Sequence, residues 1–446
     1  MFIKFFSGHK RSVKAKKNIL TSFLLKGTSI LISLVLVPLT IDYLSPTKYG
    51  IWITLTSVIA WFSFFDIGLG NGLRNKFATA KAEGEDELAR TYISTTYAII
   101  SIISIALLVL FFIVNQFLDW GKILNTTSDL VELEALVFIV FNVFCLQFIV
   151  KLINVVFVAD QQPAISSLIN TVGSLFSLLT VIFLMKYTNG SLLYLGASFS
   201  VINLVVPLLA GAWAFNTTYK KYRPSLKFVD FSYLKDLLSL GLRFFIMQGA
   251  ALVVFMTDNI IITQISGPQD VTPYNIAYKY FGIITMAFTI ITTPLWSAYT
   301  EAYLKKDFSW IRRITNKVLK MWIILLLCSM VMLLVSGYAY QLWLGDLISV
   351  PFMLSSVMMV WVLLSTSIMP FSNFLSGVSK IKLSLSHSVF VSIVNIPLSI
   401  YFAKNLEMGS VGVMLASVCC IFPRVIFQPI QYYKIINGTA KGIWNK

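Results

Sequence analysis

Histidine is almost missing from this chain: 446 residues hold only His9 and His387. A histidine metal centre is therefore not expected. The four cysteines, Cys145, Cys328, Cys419 and Cys420, lie in apolar stretches without metal-ligand spacing, where a thiol packs as a small hydrophobe. Charged residues make up only 12% of the chain. No Gly-x-x-x-x-Gly-Lys-Ser/Thr segment occurs, which removes ATP as a direct energy source. Long polar stretches are missing as well. The longest connections, 72–91 and 216–235, hold about twenty residues each, too few for a globular catalytic domain, and no cofactor is expected. The basic start MFIKFFSGHKRSVKAKK lacks a short apolar core with a small-residue cleavage site, so no cleaved signal peptide is read there. Phe2, Phe5 and Phe6 suit an anchor along a membrane surface.

What is abundant is hydrocarbon. Hydrophobic residues are 57% of the chain, and the mean hydropathy is +0.81. A bilayer core of ~30 Å takes ~20 apolar residues of helix. The chain supplies that length about twelve times, near 18–43, 49–71, 92–117, 132–157, 163–185, 192–215, 236–264, 273–299, 314–337, 350–375, 382–403 and 410–434. Inside lipid each backbone group must bond internally, so these runs are helices. The expected fold is an all-α integral membrane protein. Its organisation reads as a basic segment 1–17, a six-helix half 18–215, a cytoplasmic linker 216–235, a second six-helix half 236–436 and a tail 437–446.

The formal charge of +16 suggests nucleic acid until the charges are placed. Of 35 Lys and Arg, 27 fall on one side of this topology, in the start and in alternate loops, whereas the opposite loops carry Lys48, Lys122, Lys186 and Lys404. That is the positive-inside pattern, with both termini cytoplasmic. The excess charge sets topology, and no nucleic-acid partner is expected.

Similar turns recur across the linker. Pro46, in Leu44-Ser45-Pro46-Thr47-Lys48-Tyr49-Gly50, and Pro268, in Ile265-Ser266-Gly267-Pro268-Gln269-Asp270, are 222 residues apart, and Asp86 and Asp307 are 221 apart. Six spans preserve orientation, so the halves form a parallel repeat, in which a substrate site is expected between them near the midplane. Three segments carry a family resemblance. Thr257-Asp258-Asn259-Ile260-Ile261-Ile262 leads into Ile265-Ser266-Gly267-Pro268 and Tyr274-Asn275-Ile276-Ala277; Phe65-Asp66-Ile67-Gly68-Leu69-Gly70-Asn71-Gly72 precedes Lys76; and Pro294-Leu295-Trp296-Ser297-Ala298-Tyr299-Thr300-Glu301-Ala302 precedes Asp307. Together they resemble the seventh-to-eighth span junction, the second-span exit and the eighth-span exit of Wzx-type polysaccharide flippases. These belong to the multidrug/oligosaccharidyl-lipid/polysaccharide exporter superfamily. The resemblance implies two helical halves around a central cavity and a bacterial inner-membrane location. It also implies a lipid-linked anionic glycan (an undecaprenyl diphosphate carrier) as substrate, with membrane lipids and polysaccharide polymerases as partners.

Four basic residues fall inside predicted spans: Lys26, Arg243, Lys279 and Arg424. An ionised group there is costly, and a functional role is the working hypothesis. The deepest acids are Asp66 and Asp258, so the interior is net cationic and suits a diphosphate. Helical spacing puts Lys26 with Ser29, Ser33 and Thr40, Lys279 with Asn275 and Thr289, and Arg424 with Ser417, Gln428 and Gln431. Arg243 has a poorer stripe, Ser239 and Asp236. Helix packing and snorkelling are the competing account. Arg424 lies roughly 15 Å from the inner end of its span, too deep to snorkel easily. Candidate substrate-binding residues are thus Arg424, Lys26, Lys279 and Arg243; candidate ion-coupling residues are Asp66, Asp258 and Glu301.

Two rival functions remain open. A multidrug or cation antiporter of the same superfamily uses an acid inside its first span, where this chain has Lys26. A membrane enzyme acting on lipid-linked sugars needs a large outward loop or an acidic metal motif, and the outward loops hold at most about fifteen residues.

Overall fold

The computed structural model describes residues 10–66, 68–127, 130–238, 256–292 and 295–445. Among them every regular element is helical. The chain forms two compact units, residues 1–48 with 58–245, and residues 49–57 with 246–446. Nine described helices are long and apolar enough to cross a membrane. Their surfaces name the solvent. On the helix Phe308–Leu334, Ile323, Ile324, Leu327, Val331 and Leu334 are all exposed, a contiguous apolar face that only hydrocarbon solvates without penalty. This is a multi-pass, all-α membrane protein.

The chain opens with α1 (Lys10–Leu44) and α2 (Pro46–Trp61). Ser45 between them has φ 84°, and Pro46 sits in the first turn of α2, where its missing N–H costs nothing. The span expected at 49–71 is interrupted. A 3₁₀ turn, Phe62–Asp66, follows α2, and α3 (Leu69–Glu83) starts afresh. Both Asp66 carboxylate oxygens accept from the Gly70 N–H, at 3.1 and 3.3 Å, satisfying a donor the new helix leaves free. The stretch 72–91, expected to be a connection, is thus largely helical. Leu69, Leu73, Phe77 and Ala80 are buried along one face of α3, the period of an amphipathic helix. Gly84 ends it at φ 81°, a left-handed cap that glycine adopts without strain.

The rest of the first unit comprises α4 (Asp86–Val114), α5 (Leu130–Val150), α6 (Leu152–Ala159), α7 (Pro163–Tyr187) and α8 (Leu192–Asn216). The span expected at 132–157 breaks at Lys151, between α5 and α6. The basic segment 216–235 packs within this unit, where Tyr219 and Tyr222 join its core. Tyr219 donates to Asp160 at 2.8 Å, Lys221 pairs with Asp86 at 2.6 Å, and Asp160 also pairs with Lys81. Lys221 stands outside the spans, and its bond to Asp86 holds its pKa above the ordinary lysine value. Further along, Asp230 N–H donates to Thr95 Oγ1 at 3.0 Å, and the Arg90 guanidinium lies 4.1 Å from the Phe228 ring centroid.

The second unit holds α9 (256–266), α10 (Pro268–Thr292), α11 (Leu295–Leu304), α12 (Phe308–Leu334), α13 (Ser336–Leu344), α14 (Phe352–Ser367), α15 (Met369–Gly377), α16 (Lys382–Ile400) and α17 (Gly409–Ile436). A buried cluster of Ile262, Phe281, Leu354, Met358, Val362 and Val413 joins α9, α10, α14 and α17. A π-helical turn, Tyr401–Asn405, follows α16.

Local geometry matches between the units at the turns the sequence pairs. Pro46 begins α2 after Ser45 at φ 84°, and Pro268 begins α10 after Gly267 at φ 92°. The second pairing shifts by one residue. Glu85 and Asp307 cap α4 and α12 with the same angles, φ −82° and ψ 69°, so Asp307 corresponds to Glu85, not to Asp86. Both matched turns are then 222 residues apart, a single register that the sequence comparison missed by one.

Candidate functional site

The charged residues expected inside spans meet different fates. Lys26 is exposed on α1, which is held against α7 by Ser29 Oγ to Ser174 Oγ at 3.1 Å and Thr171 Oγ1 to the Leu25 carbonyl at 3.0 Å. Part of the polar face read around Lys26 therefore serves helix packing. Arg243 lies outside the described residues. Glu301 is an exposed residue of α11, paired one turn on with Lys305. Asp66 is half-buried and bonded to the N-terminus of α3, a role that explains its position without an ion.

Asp258, Lys279 and Arg424 all lie in the second unit, on α9, α10 and α17. Asp258 is 1% exposed. Its Oδ2 accepts from the Tyr274 hydroxyl at 2.7 Å, its Oδ1 has no partner among the described residues, and Ser417 of α17 stands beside it. One residue along each helix, Asn275 Nδ2 donates to Asn259 Oδ1 at 2.9 Å, and Asn259 Nδ2 donates to Ser57 Oγ at 2.9 Å. One helical turn beyond Asn275, half-buried Lys279 reaches the Tyr49 hydroxyl with Nζ at 3.5 Å, too long for a strong bond. The ammonium thus retains donors for another ligand.

Ser417 also accepts from Asn395 Nδ2 of α16 at 3.1 Å. Two turns further along α17 is Arg424, half-buried, with Nε buried and unpaired among the described residues. No ion pair joins Arg424 to an acid among the described residues. Prolines at 423 and 429 lie inside α17, each removing one helix hydrogen bond next to the guanidinium-bearing turn. Pro397 lies inside α16 and Pro38 inside α1, whereas Pro294 falls outside the described residues. Chemically, the unit offers a buried carboxylate and, among the described residues, two cations without an acidic partner. Sequence reasoning had the three charges and the Ser417–Gln428–Gln431 face. It missed Tyr274 and Asn395 as their neighbours, because no spacing along one helix shows which helix it will meet.

Comparison with known proteins places the chain in a family and a fold. A family profile described as "Polysaccharide biosynthesis protein" matches residues 15–300. A putative O-antigen export protein of Yersinia pseudotuberculosis is 25% identical over 311 residues, 68% of each chain. A putative O-antigen transporter of Salmonella typhi is 24% identical over 290 residues, 64% of each chain. The chain thus spans about two thirds of the length of these curated relatives. Among solved structures, an inward-facing multidrug resistance MATE family transporter of the MOP superfamily superimposes with a TM-score of 0.75 at 16% identity, covering 94% of this chain and 98% of that one. An outward-facing transporter of the same description gives 0.65 at 17% identity, covering 96% and 97%. At such identity the likeness establishes the fold alone. With the profile spanning well over half of its length, the chain belongs to the polysaccharide biosynthesis protein family, in the fold of the MOP-superfamily transporters.

Proposed function

We propose that this protein is a flippase. It moves an oligosaccharide linked to undecaprenyl diphosphate from the cytoplasmic to the outer leaflet of the bacterial inner membrane, by alternating access, for surface polysaccharide assembly. The observation that carries the reading is the family match together with relatives named as O-antigen exporters. The work is translocation, and no covalent step is required of the protein. Both termini face the cytoplasm, and a polysaccharide polymerase receives the exported unit.

The substrate's fixed feature is its diphosphate, and Arg424, Lys279, Lys26 and Arg243 are the residues proposed to meet it. A guanidinium offers planar bidentate contacts to phosphate, which gives Arg424 the leading part. Asp258 is the proposed coupling residue, in preference to Asp66 and Glu301. A buried carboxylate with a free oxygen costs several kcal/mol if it stays ionised and unpaired, so it takes up a proton or a monovalent cation. The antiporter reading is disfavoured by Lys26 in the first span, where a cation exporter needs an acid.

Deleting the gene and extracting lipid-linked sugars tests the reading. Oligosaccharyl undecaprenyl diphosphate should accumulate on the cytoplasmic leaflet, and surface glycan should fall. Normal surface glycan with a new defect in dye efflux would transfer the protein to the multidrug branch.

A further inference from the structure

Helices α16 and α17 meet along a seam of polar residues. At one end Gln428 Nε2 donates to Ser384 Oγ at 3.0 Å, while Gln428 Oε1 accepts from Ser372 Oγ at 2.7 Å. At the other, Asn395 Nδ2 donates to Ser417 Oγ at 3.1 Å. Between these contacts lie His387, three residues after Ser384, and Arg424, four residues before Gln428. Those intervals put each on the facing row of its helix. Here the pairing stops. Arg424 Nε is buried with no hydrogen-bond partner among the described residues, and the buried ring nitrogens of His387 have only the Cys420 backbone beside them. Packing keeps the imidazole in place, its ring set edge-on to Phe427 at 5.2 Å between centroids.

A buried guanidinium N–H without an acceptor is an expensive arrangement, because a buried donor left unmade costs ~1–3 kcal/mol, more when charged. A neutral imidazole can accept one bond from the guanidinium but supplies no counter-charge. An anion between them would accept from both and supply the missing charge. Both residues are half-buried, not sealed, so each keeps an accessible part. We propose that His387 and Arg424 together form one phosphate-binding site, in which His387 takes up a proton as the phosphate docks. This rests on the reading above, and it adds a residue that the composition argument had set aside. The site selects for phosphate over a neutral sugar, because only an anion answers both groups. Arg424 is the charged group acting on His387 among the described residues; the neighbouring titratable group on α17 is Cys420, and Asp258 lies beside Ser417, two turns from Arg424. A phosphate between the two groups supplies the negative charge that a protonated imidazole needs.

Inorganic pyrophosphate is the probe, with the full-length protein in nanodiscs of phosphatidylcholine. Calorimetry in two buffers of different ionisation enthalpy should show saturable binding to the wild type with net proton uptake. Affinity should rise as pH falls from about 8 to about 6, through the range where imidazole titrates. His387→Gln should weaken binding about tenfold at the acid end and leave only the ligand's own pH dependence; Arg424→Gln should abolish binding. Wild-type binding without proton uptake, or a His387→Gln profile that superimposes on the wild type, overturns the proposal. The wild-type measurement decides it even if a variant fails to accumulate. Flat binding beside intact glycan export removes this site and leaves the flippase standing. Proton-linked pyrophosphate binding, in a protein whose deletion accumulates no lipid-linked sugar, does the reverse.

Discussion

Tyr274 donates its phenolic hydrogen to Oδ2 of Asp258 at 2.7 Å and leaves Oδ1 of the same buried carboxylate without a partner among the described residues. A group that served only to tie α9 to α10 would be expected to use both oxygens. The second oxygen, with only the Ser417 hydroxyl near it, suits reversible occupation by a proton or a small cation.

Asp258→Asn tests that role, because the amide keeps an oxygen for Tyr274 and removes the ionisable group. Export per membrane-inserted molecule should fall on the order of tenfold, the scale of a coupling energy of 1–3 kcal/mol. Protein level should hold, since an uncompensated buried charge has been removed. Tyr274→Phe should cost much less transport. Wild-type export by Asp258→Asn would exclude this carboxylate from coupling.

How far the sequence reveals this can be traced residue by residue. The exposed apolar row Ile323–Leu327–Val331–Leu334 is legible because a lipid-facing helix follows composition and period alone. α3 escaped notice because its period is amphipathic, and a search for twenty-residue apolar runs passes over it. Lys279 and Arg424 are visible from the sequence because charge inside a span is rare. The cross-helix surroundings are not: Tyr274 bonds Asp258, and His387 lies within the electrostatic reach of Arg424, through helix-to-helix register, which is tertiary. His387 was weighed as a metal ligand, and its scarcity settled that question without touching its possible use as a donor to phosphate.

Gly50 and Gly27 should respond oppositely to alanine. A Cβ on Gly50 would lie 1.8 Å from the Pro268 carbonyl oxygen, backbone of the same unit, whereas one on Gly27 meets nothing within 4 Å. Gly50→Ala must displace the start of α10 and should lower membrane abundance and the apparent melting temperature, by the equivalent of ~1–3 kcal/mol or more. Gly27→Ala should be neutral or stabilising, by up to about 1 kcal/mol of helix propensity. Melting of the two purified variants in detergent checks both signs. An unchanged Gly50→Ala would mean that α2 and α10 do not approach as closely as described.

Topology follows from the distribution of basic residues. Single cysteines at 81, 221 and 306 in a cysteine-free background should react with an impermeant maleimide only after the cells are permeabilised. Those at 125, 189 and 269 should react in intact cells. Labelling at 306 from outside would contradict the proposed cytoplasmic placement of the termini and of the basic loops.

Arg424 separates a binding role from a packing role most sharply. If the guanidinium holds phosphate, Arg424→Ala should abolish export while abundance stays near normal, because a buried, unpaired cation is lost and no ion pair is broken. Arg424→Lys should restore export only partly. Lysine keeps the charge but presents a compact ammonium, without the planar pair of donors that phosphate accepts. A packing residue gives the opposite pattern. Arg424→Ala would then reduce the amount of protein in the membrane, and the surviving molecules would export at the wild-type rate. Export normalised to membrane-inserted protein reads the two outcomes apart. The absence of an acidic partner for Arg424 among the described residues already weighs against the packing account, since pairing with an acid on a neighbouring helix is one of the ways an intramembrane arginine serves structure.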